Sequence, residues 1–401
     1  MSNINPKLRF KEFTKPVKKV KFGDISKVNQ GLQIPIAERF LQPVEGGQFY
    51  ITNEFLKAGS NKCYYIQNPP ASVICNEEDI LMTRTGNTGQ VVTDVSGAFH
   101  NNFFRIGFDR DKFYKSFLVQ YLRTTKTQNH ILKLAGISTI PDLNHSDFYR
   151  IPIPYFEFDE QKKIADFLTS VDTKISQLAE KHRLLKKYKK GVMQQIFGQL
   201  LCFKDENGNA FPEWEEKPLN QLASKVTTKN KSRLVKAVLT NSAKHGIISQ
   251  QDYFDKEIAK EDNTDNYYVV DINDFVYNPR ISELAPVGPI GRNNVEQGVM
   301  SPLYSVFRFK PEVCLDFIAY FFKGTAWHKY MHSVANFGAR HDRMNISSAD
   351  LMALPCPFPC IEEQKKIAQF LQSIDTKIEG VAEQVEQTKQ FKKGLLQQMF
   401  V

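Results

Sequence analysis

The chain of 401 residues has 53 Lys and Arg against 44 Asp and Glu, a formal net charge of +9, with 41% hydrophobic and 12% aromatic residues. That length suits two or three domains, and that apolar content excludes a wholly disordered chain. No apolar run reaches bilayer-spanning length, and the six cysteines form no CxxC pair, so reduced, mostly buried thiols are expected rather than a zinc site. A basic balance suits a polyanionic partner, but an ordinary basic soluble protein has the same balance.

The N-terminal MSNINPKLRFKEF has no apolar signal core, which makes the cytoplasm the expected compartment. Between Lys7 and Lys21 it carries seven Lys or Arg against one Glu. β-Rich runs follow, FYITNEF (49–55) and ASVICNEEDILMTR (71–84). The second run opens into a loop in which Thr83, Arg84, Thr85, Asn87 and Thr88 alternate with Gly86 and Gly89. Glycines let such a loop approach a backbone closely, and these polar side chains suit base edges or phosphates. A helix is expected over residues 115–124, then a second polar loop with Ser138 and Thr139.

A long helix is expected from Asp159 or Glu160 onward, because the proline-rich IPIPYFEF before it cannot continue a helix backward. After a polar join, FKDENGNAFPEWEE (203–216), the pattern restarts with YYVVDINDFVYN (267–278) and LYSVFRF (303–309). Asn278, Arg280, Arg292 and Asn293 occupy loops comparable to 83–89, and Arg340 and Arg343 a loop comparable to 136–139. An exposed polar loop without a ligand accounts for any one of these residues equally well. A helix is expected over 316–332, and a final long one from Glu362 or Glu363.

The dominant signal is a duplication. Residues 160–197 and 363–400 align without a gap, and 22 of 38 positions are identical. Fainter matches precede them: Pro152 and Pro154 recur as Pro355 and Pro357. The stretches 25–140 and 223–345 share no obvious sequence. In each repeat apolar residues recur in steps of four and three: Ile164, Leu168, Val171, Ile175 and Leu178, then Ile367, Leu371, Ile374, Ile378 and Val381. This is a heptad seam. Each copy's nearest partner is the other copy, and an antiparallel pair would place one globular domain at each end. The helices would then set the spacing between two dissimilar heads. Dimerisation through the same seam is the competing use. Gly191 and Gly394 are places where the last turns can bend.

EQKKIA, FL, SVDTKI and KKGVMQQIF after a proline-containing lead, with the join 203–216 and KLRFKEF as its first copy, resemble the spacer helices and joins of type I restriction–modification DNA-specificity subunits. The resemblance covers about a quarter of the chain directly. It implies two α+β target-recognition domains separated by two long helices in an intramolecular antiparallel coiled coil, with a pseudo-twofold internal repeat. The limits would be 1–158 and 201–361 for the recognition domains, 159–200 and 362–401 for the spacer helices. The subunit would be non-catalytic and would read a bipartite, asymmetric site in double-stranded DNA, one half per domain. Two methylation and two restriction subunits would be its partners. S-Adenosylmethionine, ATP and Mg would sit on those partners, with no cofactor or metal on this chain and no membrane association.

Rival chemistry finds weak support. Asn68-Pro69-Pro70-Ala71 has alanine where adenine methyltransferases stack an aromatic on the flipped base, and no glycine-rich methyl-donor loop follows a strand. Asp142 with Glu160 and Lys162 fits a loose nuclease pattern. Acids at a helix start have an electrostatic reason of their own, however. No phosphate loop is present, and His328 and His332 lack the glutamate of a zinc protease. A coiled-coil adaptor that binds only proteins remains the non-enzymatic alternative.

Overall fold

A computed structural model describes residues 3–57, 59–136, 141–250, 264–336 and 342–400. It divides into two compact units, Met1–Leu178 with Glu383–Val401, and Ala179–Ala382. The long helices run Phe158–Phe197 and Ile361–Met399, each beginning one residue before the acidic pair expected to open it. Asp159 and Glu160, and Glu362 and Glu363, lie in the first turns, where acids complement the helix dipole. Forty residues without a proline reach about 60 Å, and both helices continue through Gly191 and Gly394.

In the first unit, Ile164, Leu168 and Val171 are buried in one core with Leu395, Met399 and Phe400, and Ile175 packs against it. In the second, Ile367, Leu371 and Ile374 share a core with Val192, Met193 and Ile196, and Ile378 packs against it. Leu178 and Val381 are buried as well. Asp172 is met by Lys392 at 2.6 Å, and Lys189 meets Asp375 at 2.6 Å. The partner number falls as the helix number rises, so the two helices run antiparallel. Asp172 and Asp375 are equivalent positions of the repeat, as are Lys189 and Lys392. Each copy therefore supplies the acid of one pair and the base of the other.

In each unit an early strand pairs antiparallel with the strand just before a long helix: Val17–Lys21 with Pro152–Tyr155, and Glu215–Pro218 with Pro355–Phe358. Each unit also contains a four-stranded antiparallel sheet. In the first its order is Ser26–Gln30, Phe103–Phe108, Ile80–Thr83, Val91–Val92. In the second it is Ala223–Val226, Ser305–Phe309, Phe275–Tyr277, Ile290–Arg292. The stretches without legible similarity therefore fold in the same strand order. A further sheet in the first unit includes one parallel pair, Gly47–Ile51 with Gly97–Phe99.

The helix expected over 115–124 is Lys115–Leu122, and Thr124 caps a second helix, Thr125–Ala135, by accepting from Thr127 N. The helix expected over 316–332 is broken into Leu315–Lys323 and His328–Val334. Gly324 ends the first, and the buried Trp327 indole donates to the carbonyls of Phe322 and Gly324, which fixes the break. Only Cys75 and Cys356 are buried, fewer thiols than expected. Burial pushes the Cys75 thiol up to about 11 and the Cys356 thiol up to about 12, so both stay protonated and inert near neutral pH.

The duplicated EQ pair shows how sequence sets the frame. Glu160, Gln161 and Gln364 are fully buried, and Glu363 nearly so. Glu160 accepts a bidentate pair of bonds from Arg9 at 2.7 Å each, whereas Glu363 accepts from the Trp214 indole at 2.9 Å. Gln161 accepts from Tyr114 N and donates to the carbonyls of Lys112 and Phe156. Gln364 does the same with Cys314 N and the carbonyl of Pro359. Each glutamine thus ties the start of a long helix to the loop that leads into the unit's own helix.

Candidate nucleic-acid interface

In the first unit the strand Ile80–Thr83 ends in a loop that is tied back on itself. Thr83 is fully buried, and its hydroxyl donates to the carbonyl of Asn87. Thr88 is also buried, its hydroxyl donating to the carbonyls of Arg84 (3.0 Å) and Pro141 (2.6 Å). Gly89 turns at φ +89°, and its N–H meets the Thr83 carbonyl at 2.8 Å. Arg84 forms a two-pronged bond to Asp142 (3.0 and 2.6 Å), and the Thr85 hydroxyl donates to the same carboxylate. That Arg84 bond is the main reason the Asp142 carboxyl lies below the usual carboxylate range. Asn87 faces outward, at the rim of a concavity that Arg123, Gln128 and Leu132 also line.

The second unit repeats this scaffold with different side chains. Leu143 N donates to the Arg84 carbonyl, and Met344 N to the Pro279 carbonyl, both at 2.9 Å. Thr85 is bridged antiparallel to Asp142, and Arg280 to Arg343. Arg280 thus stands where Thr85 stands, and Arg343 where Asp142 does. A hydrogen-bonded threonine and aspartate in one unit are thus replaced by two arginines in the other. Arg280 is exposed. Arg343 is three-quarters buried, its nearest carboxylate oxygen, on Asp342, is 3.7 Å away, and its Nε has no hydrogen-bond partner among the described residues. Two arginines on facing residues of one antiparallel bridge favour an anion beside them.

Other candidates hold the second loop in shape. Asn278 is buried and donates to the Asn241 carbonyl at 2.8 Å, while its side-chain oxygen accepts from Arg280 N at 3.0 Å. Asn293 is fully buried, donating to the carbonyls of Asp271 (3.0 Å) and Glu296 (2.7 Å) and accepting from Val295 N. Arg292 is engaged by Asn273 and, at 2.7 Å, by Asp316. Gly288 turns at φ +79°, and a Cβ there would lie 2.1 Å from the Asn278 carbonyl oxygen. Ser138, Thr139 and Arg340 lie outside the described residues.

The exposed groups are therefore Asn87 and Arg280, with Arg343 partly buried across the bridge from Arg280, and Arg84, Thr85 and Arg292 already answered by polar partners within their own units. Sequence reasoning missed Asp142 as the partner of the first loop. Its one signal was its place just after Pro141, which drew attention only as part of a nuclease pattern. That pattern does not assemble: Glu160 is buried against Arg9, and Asp142 is held by Arg84. Among the described residues no group of three His, Cys, Asp or Glu is placed to hold a metal. Asn68 lies exposed at φ +47° and leads into the short 3-10 turn Ala71–Val73.

A family model described as the type I restriction modification DNA specificity domain matches residues 14–186 and again 212–388. The chain belongs to this family. As a specificity subunit it is non-catalytic and carries the specificity domain twice, on a frame that the duplicated helices supply. It is 26% identical over 397 residues to the type I restriction enzyme MjaVIII specificity subunit of Methanocaldococcus jannaschii, covering 94% of this chain and 90% of that one. The MjaIX specificity subunit of the same organism is 31% identical over 128 residues, 32% of this chain and 29% of that one. The crystal structure of the type I S subunit from M. genitalium shares the fold, with a TM-score of 0.55, 14% identity and 99% coverage of each chain. The HsdS subunit from Thermoanaerobacter tengcongensis does so with a TM-score of 0.52, 15% identity and 96% coverage of each.

Proposed function

We propose that this specificity subunit selects a bipartite, asymmetric DNA site, with each recognition unit reading one half and the paired helices setting the spacing. The observation that carries this reading is one strand order in both units bearing different loop chemistry: Thr85 and Asp142 in the first, Arg280 and Arg343 in the second. Asn87, Arg280 and Arg343 are the side chains we assign to DNA, Arg280 and Arg343 being suited to guanine edges or phosphates. Two methylation and two restriction subunits are its proposed partners. S-Adenosylmethionine, ATP and Mg belong to those partners, and the complex works in the cytoplasm. The limits 1–158, 159–200, 201–361 and 362–401 are its proposed functional segments.

The test is an exchange of residues 25–140 for the corresponding stretch of another family member, with methylated adenines then sequenced in a host carrying the whole complex. One half of the target should change while the other half and the spacing stay fixed. Simultaneous change of both halves overturns the reading. Methyl-donor binding by the isolated chain would point to a stand-alone methyltransferase. Absence of salt-sensitive DNA affinity would point to a protein-only adaptor.

A further inference from the structure

Two adjoining concavities in the second unit share Lys190, Lys323, Gly324 and Thr325 in their walls. The larger is walled on one side by Gly288 and Pro289 with the strand Ile290–Arg292, and on another by Lys244 and His245. The smaller continues along the long helix past Lys186 and Lys189. Four lysines on these walls, Lys186, Lys190, Lys244 and Lys323, are exposed, and none has a carboxylate within ion-pair distance among the described residues. Among the described residues the larger concavity has no Asp or Glu in its lining. The smaller has, among the described residues, only Asp375, already held by Lys189 and by the Tyr320 hydroxyl at 2.7 Å.

Although Lys323 also lies over the Tyr320 ring at 5.3 Å, an excess of cations without an ion-pair partner in adjoining hollows focuses a positive potential and selects a polyanion. Lysine suits this task as a mobile point charge on a long stem, a poor reader of base edges and a good neutraliser of phosphate. Although the Lys323 side chain reaches solvent, the surrounding walls desolvate its ammonium, and the charge on Lys189 adds to that, so its pKa lies below the ordinary lysine value. A cation so placed gains from an arriving anion. The larger hollow is also lined by Leu284, Ala285, Gly288 and Pro289, in the same 278–289 connection that carries Arg280, which favours nucleic acid over an acidic protein segment as occupant.

We infer that Lys186, Lys190, Lys244 and Lys323 form a track for the phosphodiester backbone beside the half-site read by the second unit, gripping DNA without reading its sequence. This rests on the DNA-reading function proposed above and says which surface supplies affinity as distinct from choice.

The experiment uses the full chain assembled with its methylation subunits, comparing wild type with K186Q/K190Q/K244Q/K323Q. Binding to a cognate duplex and to an unrelated duplex is measured over a salt series. Loss of four phosphate contacts should flatten the slope of log K against log salt by about 3.6 and weaken both affinities by roughly two to three orders of magnitude near 0.15 M salt. The ratio of cognate to unrelated binding should stay within a factor of about three, since phosphate contacts carry no sequence information. An unchanged slope, or a loss confined to the cognate duplex, overturns the track. A variant that binds DNA normally but no longer joins its methylation partner identifies the surface as a protein dock and also overturns it. If wild type itself shows no cognate preference, the DNA-reading function fails, a result distinct from the other three.

Discussion

Reversing one charge in the helix pair tests the antiparallel frame directly. In the wild type, Lys392 reaches both carboxylate oxygens of Asp172 at 2.6 Å, with Gln120 donating to the same carboxylate at 2.9 Å. The Asp172 side chain is 41% exposed and that of Lys392 20%, so the pair contributes less than a buried one. Allowing for that screening, it is worth about 1–2 kcal/mol. Asp172→Lys removes this and sets two ammoniums against each other, for a total cost of about 3 kcal/mol. For a unit of roughly 200 residues that lowers the melting temperature by about 6–12 °C. The double variant Asp172→Lys/Lys392→Asp restores the pairing and should recover most of the loss, a coupling that only facing residues can show. Raising salt to about 1 M should help the single variant more than the double one, because screening weakens the repulsion. Thermal unfolding followed by far-UV circular dichroism compares wild type, Asp172→Lys, Lys392→Asp and the double variant. Additivity, with the double variant as unstable as the sum of the singles, would mean that the helices do not set these positions against each other.

Asn293→Ala strips the side chain that serves the carbonyls of Asp271 and Glu296 in a fully buried site, and should cost about 2–3 kcal/mol in denaturant titration. A change below about 0.5 kcal/mol counts against its structural role. Arg84 holds the Asp142 pKa down, so their contribution is present above the unfolded carboxylate value of about 3.9 and is lost as pH falls through the lower folded value. Asp142→Asn should therefore be less stable than wild type near neutrality and converge with it in acid; parallel stability curves would refute the pairing. Gly191→Ala should stabilise the protein by about 0.5–1 kcal/mol, since a Cβ there meets nothing within 4 Å. Arg343→Gln should leave the melting temperature unchanged and weaken DNA binding by about 1–3 kcal/mol in anisotropy titrations if the guanidinium meets a base. Full retention of affinity would remove it from the interface.

The frame was legible because it is periodic and copied. Steps of four and three located the buried stripe of both helices, and the prolines before them placed their starts to within one residue. What could not be read was the common strand order of the two heads. It rests on backbone pairing, which tolerates Thr85 against Asp142 in one unit and Arg280 against Arg343 in the other. Nor does local sequence tell an outward asparagine from an inward one. Asn87 and Asn293 both sit in Gly-containing polar loops, yet Asn87 is exposed while Asn293 fastens three backbone groups in the interior. The break after Lys323 was overlooked because the apolar spacing continues across it, although Gly324 is a stop signal; the Trp327 indole fixes the break by bonding the carbonyls of Phe322 and Gly324.

The crossed arrangement of the two ion pairs has a consequence for shorter versions of the polypeptide. Asp172 and Lys189 occur on one copy of the repeat, Asp375 and Lys392 on the other, so a single copy already owns both a key and its lock. A gene fragment encoding one head and one helix would present to its own twin the same complementarity that the two copies now show each other. Two identical heads on such a homodimer would ask for a palindrome where the intact chain asks for two unlike words.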